Sequence, residues 1–410
     1  MGEFLEVKGL EEAKRIALSR ALPVSDVEQI PTPQGLGRVL AEEVLSPVAL
    51  PGFARATMDG YAVRASDTFG ASLEEPAKLR LAGEVEMGEE PIAELRPGEA
   101  LAIHTGGALP RGADSVVMLE ETETSAQGIL VYSPVAPGAN VIAEDEDLAK
   151  GERLLAPGRR LRAQEIGALL GVGIIEIHVF RRVSVGVIAT GDELVPPNER
   201  PRPGQVRDIN SYALSCQIRE LGALAVNYGI LPDEGDVLLE ATGRGLGECD
   251  LVCLSGGSSV GTRDLTLKVM EELGEILVHG ISIAPGKPTI LAVASSGKLL
   301  IGLPGNPASS MIVFHRFVAP IIQKLGGIRE PAKFNGPAVR AKLAKKIPSI
   351  SGREEFIRVR LIEKEDGLYA EPILAQSGII SSLVRADGLV TIPALREGLG
   401  EGEEVLVELW

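Results

Sequence analysis

The sequence predicts a multi-domain protein of α/β-plus-β class, with a doubly wound, mostly parallel sheet domain at its centre. Two observations carry this. From Val183 to Gly326, short apolar runs alternate with amphipathic stretches, the pattern of a parallel sheet with helices on both faces. On either side the chain changes to short runs broken by glycine and proline, or alternating at period two, the pattern of β-rich structure.

Within the central domain the elements follow in order. Val183 to Ala189 reads as a buried strand, then Ser211 to Leu221 as a helix with Asn210 or Ser211 as its cap and Gly222 just past its end. Ala223 to Tyr228 is a second strand and Gly235 to Arg244 a second helix. Asp250 to Leu254 is a third strand, with a helix from Asp264 to Leu273 behind it. Lys298 to Gly302 is a further strand, and Ala308 to Leu325 a long helix.

The chemically capable side chains sit where strands give way to helices. Thr190-Gly-Asp-Glu193 follows the first strand, and Leu231-Pro-Asp233 the second. Ser255-Gly-Gly-Ser-Ser-Val-Gly-Thr-Arg-Asp264 follows the third, and Leu303-Pro-Gly-Asn-Pro307 the last. Ligands of open α/β sheets bind outside the carboxyl ends of the strands, so these loops converge on one edge. Their glycines let backbone N–H groups approach a ligand, and the helix N-termini behind them favour anions. Taken singly, each loop also has a plain reading. A Gly-Gly is a tight turn, Asp264 is a helix cap, and Glu193 and Asp233 are solvated carboxylates. It is their convergence that argues for a site.

Composition bounds the function. A chain of 410 residues is long enough for more than one domain. Its net charge of −16 argues against nucleic acid or an anionic membrane as a partner, since both need basic patches. No apolar run is long enough to cross a bilayer. The start, Met1-Gly-Glu-Phe-Leu-Glu6, has neither a basic nor an apolar segment of signal-peptide type, so cytoplasm is the expected compartment. Cys216, Cys249 and Cys253 form no disulfide or zinc framework and are expected in the core. The histidines (His104, His178, His279, His315) lack ligand spacing.

N-terminal to the sheet domain, Leu10 to Ala21 has helical spacing ended by Pro23. Asp59-Gly60 reads as a turn among apolar residues, and Leu79 to Tyr132 as a β-rich lobe. Glu144-Asp-Glu-Asp147 is either a solvated acidic surface or a cation site. Ala163 to Leu170 is helical. Beyond Gly327, period-two runs such as Phe356 to Leu361, Gly388 to Ile392 and Val405 to Leu409 predict a small all-β domain.

An ordered set of motifs runs through nearly the whole chain. It comprises Met58-Asp-Gly-Tyr-Ala62, Thr105-Gly-Gly-Ala-Leu-Pro-Arg-Gly-Ala-Asp114, Glu146-Asp147 and Thr190-Gly-Asp-Glu-Leu194. It continues with Pro232-Asp233, Ser255-Gly-Gly-Ser-Ser-Val-Gly261 with Asp264, and Pro285-Gly-Lys-Pro288. Gly302-Leu-Pro-Gly-Asn-Pro307, Gly352-Arg353 and Ser377-Gly378 complete it. In these residues the chain resembles the molybdopterin molybdenumtransferase family, which includes the bacterial MoeA proteins and the gephyrin E domain.

The resemblance implies a four-part fold. A helical linking region takes 1–26, 45–53 and 143–180, and a β-rich lobe takes 27–44 and 54–142. The α/β molybdopterin-binding domain takes 181–327, and a C-terminal β-barrel-like domain takes 328–410. It implies a molybdenum insertase that places molybdate, or tungstate, into adenylylated molybdopterin with release of AMP. It implies magnesium as cofactor, and a homodimer whose site combines the sheet domain of one subunit with the β-rich lobe of the other. Asp59, Thr105, Glu193, Asp233 and Asp264 match family catalytic positions, with Glu193, Asp233 and Asp264 as metal ligands. Asp147, Lys287, Arg353 and Ser377 match substrate-binding positions. So do Ser255, Gly256, Gly257, Ser258, Ser259 and Gly261 of the glycine loop, and Pro304 and Asn306. One departure bears on anion affinity: Ala284 stands where the family often has a lysine. The adenylyltransferase that makes the adenylylated pterin, and a gephyrin-like scaffold, are the alternatives.

Overall fold

Strand Ser184–Thr190 lies second in a six-stranded sheet whose order is Leu224–Leu231, Ser184–Thr190, Leu251–Gly256, Leu299–Pro304, Ile290–Ala294, Gly274–His279. The computed structural model describes residues 7–92, 94–256, 260–331 and 336–409, and of residues 260–264 it describes the backbone alone. The first four strands are parallel. Helices cover both faces, which is why these strands are apolar without interruption. Leu251 and Cys253 join the core on one side, Val252 and Leu254 the core on the other. Burying each such aliphatic side chain contributes roughly 1.5–3 kcal/mol.

Several expectations need correction. The last two strands of the sheet, Ile290–Ala294 and Gly274–His279, have no counterpart in the sequence reading, and Ile290–Ala294 runs antiparallel to both its neighbours. The expected long helix is interrupted. Pro307–Val313 and Ala319–Leu325 are α-helical, and Phe314–Val318 between them is a π-turn. Pro320 has no N–H to give the carbonyl four residues back, and a widened turn absorbs that loss. Cys216 is exposed on helix Asn210–Glu220, whereas Cys249 and Cys253 are buried as expected. That helix is capped by neither Asn210 nor Ser211: Asp208 Oδ1 accepts the Ser211 N–H at 3.1 Å. The next loop's helix, Val260–Leu273, begins before the expected start, so Asp264 lies inside it and is not its cap.

Helix Leu10–Arg20 buries Leu10, Ala13 and Ala17, one face at i, i+3, i+7, in the core of the sheet domain. Strand Val27–Pro31 pairs antiparallel with Glu176–Phe180, and Val44–Leu45 with Arg153–Leu155, around helix Ala163–Gly171. The β-rich lobe is a six-stranded sheet in which Gly60–Val63 is flanked by Glu99–Ile103 and Ser115–Met118. Gly60 belongs to this strand rather than to a turn. A Cβ there would fall 1.9 Å from the Val117 carbonyl oxygen, so only glycine allows the close approach.

In the C-terminal region strand Glu354–Lys364 pairs with both Gly367–Pro372 and Gly388–Ile392. Ala338–Leu343 and Glu404–Leu409 complete the ring, a closed five-stranded barrel with no open edge of its own. The two-residue strand Ile283–Ala284 of the sheet domain adds to it in parallel at Glu354 and Glu355. No helix among the described residues is long and apolar enough to cross a membrane.

Candidate functional site

The loops at the carboxyl edge of the sheet enclose two adjoining cavities. One, of about 330 Å³, is lined by Thr190, Glu193, Asp208, Asn210, Ser255, Gly256 and the Gly305–Pro307 turn, among others. The other, of about 250 Å³, is lined by Ala284, Lys287, Pro304, Asn306, Arg353 and Ser377 among others. Gly305 and Asn306 belong to both, so the turn after the last parallel strand is the wall between them.

In the first cavity, Thr190 Oγ1 donates to Asp233 Oδ1 at 2.5 Å, tying the first strand's loop to the second's. The Asp233 N–H donates to Asp192 Oδ1 at 3.1 Å. Ser255 is buried and its hydroxyl accepts from Asn210 Nδ2 at 3.0 Å. Gly256 packs against the Thr190 backbone: a Cβ would fall 2.4 Å from the Thr190 carbonyl oxygen. That glycine therefore closes the strand ends as well as opening the loop. Gly257, Ser258 and Ser259 lie outside the described residues. Gly261 and Asp264 fall in the first turns of helix Val260–Leu273, and the Asp264 side chain is not among the described atoms.

The second cavity is cationic. Lys287 is exposed at its mouth and has no carboxylate partner among the described residues. Arg353 donates from Nε (2.8 Å) and Nη2 (2.5 Å) to Oε1 of buried Glu355. This fixes the plane of its guanidinium and offsets much of its charge. Ser377 Oγ accepts from Asn306 Nδ2 at 3.0 Å, and the Ser377 carbonyl accepts the Ala308 N–H. Ala284 lines this cavity and adds no charge to it. Oxyanions suit such a volume and charge; a larger ligand suits the neighbouring cavity.

Asp59 and Thr105 are also brought together, although far apart in sequence. Gly60 pairs with Ile103 across antiparallel strands, so the residues just beyond them meet. Asp59 Oδ1 accepts both the Thr105 N–H (2.7 Å) and its hydroxyl (2.9 Å). The Thr105 N–H above all, and then its hydroxyl, hold the Asp59 carboxyl below the usual carboxylate range. None of the described residues lining either cavity precedes Thr190, so this pair stands apart from the sheet edge in the single chain. Asp147 likewise lines neither; it sits in an exposed turn, its N–H bonded to the Leu50 carbonyl.

Three residues escaped the sequence reading. Asn210, read there only as a cap, bridges Ser255 Oγ and the Gly305 carbonyl (2.8 Å), and its buried Oδ1 has no partner. Glu355 orients Arg353. His104 lies between Asp59 (Nδ1 to Oδ1, 3.7 Å) and Glu84 (Nε2 to Oε1, 3.2 Å). Glu355, two residues from Arg353, and His104, next to Thr105, had a local signal in the sequence; Asn210 had none.

Family profiles match three successive parts of the chain. They are the MoeA N-terminal region (domain I and II) over residues 8–173, the probable molybdopterin binding domain over 186–324, and the MoeA C-terminal region (domain IV) over 340–410. The chain is 34% identical to a putative molybdopterin biosynthesis protein of Methanocaldococcus jannaschii, across 98% of this chain and 97% of that one. It is 34% identical to the molybdopterin molybdenumtransferase of a Nostoc species, across 90% and 86% respectively. Its structure is similar to that of a molybdopterin biosynthesis MoeA protein from Pyrococcus horikoshii, with a TM-score of 0.77 and 42% identity over 98% of this chain and 99% of that one.

Proposed function

The chain belongs to the molybdopterin molybdenumtransferase family, and on that premise we propose how it inserts molybdenum in molybdenum cofactor biosynthesis. It is an enzyme: the family profiles extend well beyond the sheet domain, against the adenylyltransferase, and curated relatives are named molybdopterin molybdenumtransferase, against a scaffold alone. The substrates are adenylylated molybdopterin, in the larger cavity, and molybdate or tungstate, in the cationic one. The observation that carries this reading is the shared wall at Gly305 and Asn306, which puts a cavity lined by Lys287 and Arg353 next to one lined by Thr190, Glu193, Asn210 and Ser255.

Lys287 supplies the countercharge for the oxyanion, while the Arg353 N–H groups and the Ser377 hydroxyl orient it. Asn210 ties Ser255 to the Gly305 turn and so holds two walls of the pterin cavity together. Magnesium fits the carboxylate oxygens at this sheet edge: Glu193 lines the larger cavity, and Asp233 is hydrogen-bonded to Thr190, which lines it too. Glu193 and Asp233, with Asp264 by family resemblance, would hold it. An ion of this kind keeps several of its waters, so a few carboxylates suffice. Magnesium would polarise the phosphoanhydride and offset the charge of its oxygens. The Asp59–Thr105 pair completes the site from the second subunit of a homodimer, and the enzyme works in the cytoplasm.

The test is incubation with adenylylated molybdopterin and magnesium, with or without oxyanion. AMP release is expected only when molybdate or tungstate is present; release at the same rate without either rejects the reading. For Lys287→Ala, the KM for the oxyanion should rise about tenfold, the weight of one charge-assisted hydrogen bond, with little change in the KM for the pterin. An unchanged oxyanion dependence would count against Lys287 as the countercharge.

A further inference from the structure

Arg358 lies beneath the Ser377 loop and has no role in the site as described above. It is 7% exposed, on strand Glu354–Lys364 of the barrel. Its guanidinium spans the two ends of the loop: Nη2 donates to the Ala375 carbonyl and Nη1 to Ser382 Oγ. Ser382 Oγ in turn donates to the Ile379 carbonyl, and the Arg358 carbonyl accepts the Ile373 N–H. Nε has no partner, and no carboxylate pairs with Arg358 among the described residues. Between those ends, Ser377 lines the cationic cavity and Gly378 the larger one.

A guanidinium buried without a counter-ion is costly, and an apolar side chain of similar volume would pack there more cheaply. Two features set this one apart. Its planar fork reaches both loop ends at once, which a single ammonium cannot do. Its charge, unlike that of Arg353, has no carboxylate to offset it. We propose that Arg358 is a positioning residue for the oxyanion subsite, a staple that fixes the Ser377–Gly378 loop from below and lends it an unbalanced positive charge. This rests on reading the Lys287–Arg353 cavity as the oxyanion site. In the low dielectric of the barrel wall, a nearby dianion is the ligand best able to relieve that charge.

The experiment compares the full-length native protein with Arg358→Met and Arg358→Lys. Molybdate and tungstate binding is measured by equilibrium dialysis, both substrate KM values from AMP release, and hydrogen exchange over residues 375–382. For Arg358→Met, oxyanion affinity is expected to fall about tenfold or more, with the pterin KM nearly unchanged and faster exchange confined to the loop. Arg358→Lys restores charge without the fork, so affinity should recover in part while exchange stays fast. Unchanged oxyanion affinity in Arg358→Met overturns the proposal, as does a parallel loss of pterin binding with exchange rising throughout the barrel. If Arg358→Met does not fold, Ser382→Ala removes one end of the staple. Its loop exchange should rise and its oxyanion affinity fall, and no change in either is equally fatal. Native protein that binds neither oxyanion rejects the cavity reading itself, and the proposal with it; native binding that survives in Arg358→Met rejects the proposal alone.

Discussion

Asp233→Asn is expected to lower kcat/KM by at least about 100-fold without unfolding the protein, the scale on which removal of one electrostatic contact acts in acyl-transfer sites. The substitution keeps the shape of the side chain. Asparagine Oδ1 can still accept the Thr190 hydroxyl, the contact made at 2.5 Å in the native protein. Only the charge is lost, and charge is what a divalent cation needs from this position. Excess chelator should bring the native enzyme to a similar level, with recovery on adding magnesium. Asp264→Asn is expected to behave in the same way. Full activity in Asp233→Asn, with chelator still inhibitory, would move the cation away from Asp233. Turnover indifferent to chelator would remove the cation altogether.

A mixture of two inactive proteins is expected to regain about a quarter of native activity. Asp59→Asn should be inactive through loss of the carboxylate held by Thr105, and Asp233→Asn through loss at the sheet edge. In the single chain those residues stand apart, Asp59 in the β-rich lobe and Asp233 after the second parallel strand. If a homodimer joins them, random reassortment makes half the dimers mixed. Each mixed dimer holds one pocket with both defects and one with neither, so about a quarter of all sites are intact. Were the two residues used within one subunit, every pocket would carry a defect. No recovery after subunit exchange verified by mass would therefore eliminate the composite site.

The parts of the fold that were legible are those whose burial pattern is local. Ser184–Thr190 and Leu251–Gly256 are covered on both faces and read as unbroken apolar runs. Glu354–Lys364 contains the period-two run from Phe356 to Leu361. Closure of the barrel was legible only through the family resemblance, because it depends on pairing with Gly388–Ile392, well along the chain. The antiparallel pair Gly274–His279 and Ile290–Ala294, which has no intervening helix to announce two strands, was not legible. The site shows the same division. Lys287, Arg353, Asn306 and Ser377 were named from motifs and meet in one cavity. Asn210 was missed because its partners, Ser255 and Gly305, come from strands far away in sequence. Arg358 had nothing local to distinguish it from an ordinary strand arginine.

The short parallel bridge from Ile283–Ala284 to Glu354–Glu355 crosses the seam between sheet domain and barrel, and each side of the seam contributes a cation to the same cavity: Lys287 from one, Arg353 from the other. An anion held by both has a higher affinity for the seated barrel than for the lifted one. Seating and occupancy are thus a single linked equilibrium. At a thousand times its Kd such a ligand would add about 4 kcal/mol to the seated form. Any partner or mutation that pries the barrel loose would weaken the anion by the same factor. The last strands of the chain are in this sense a clasp, which an anion bound between Lys287 and Arg353 would fasten.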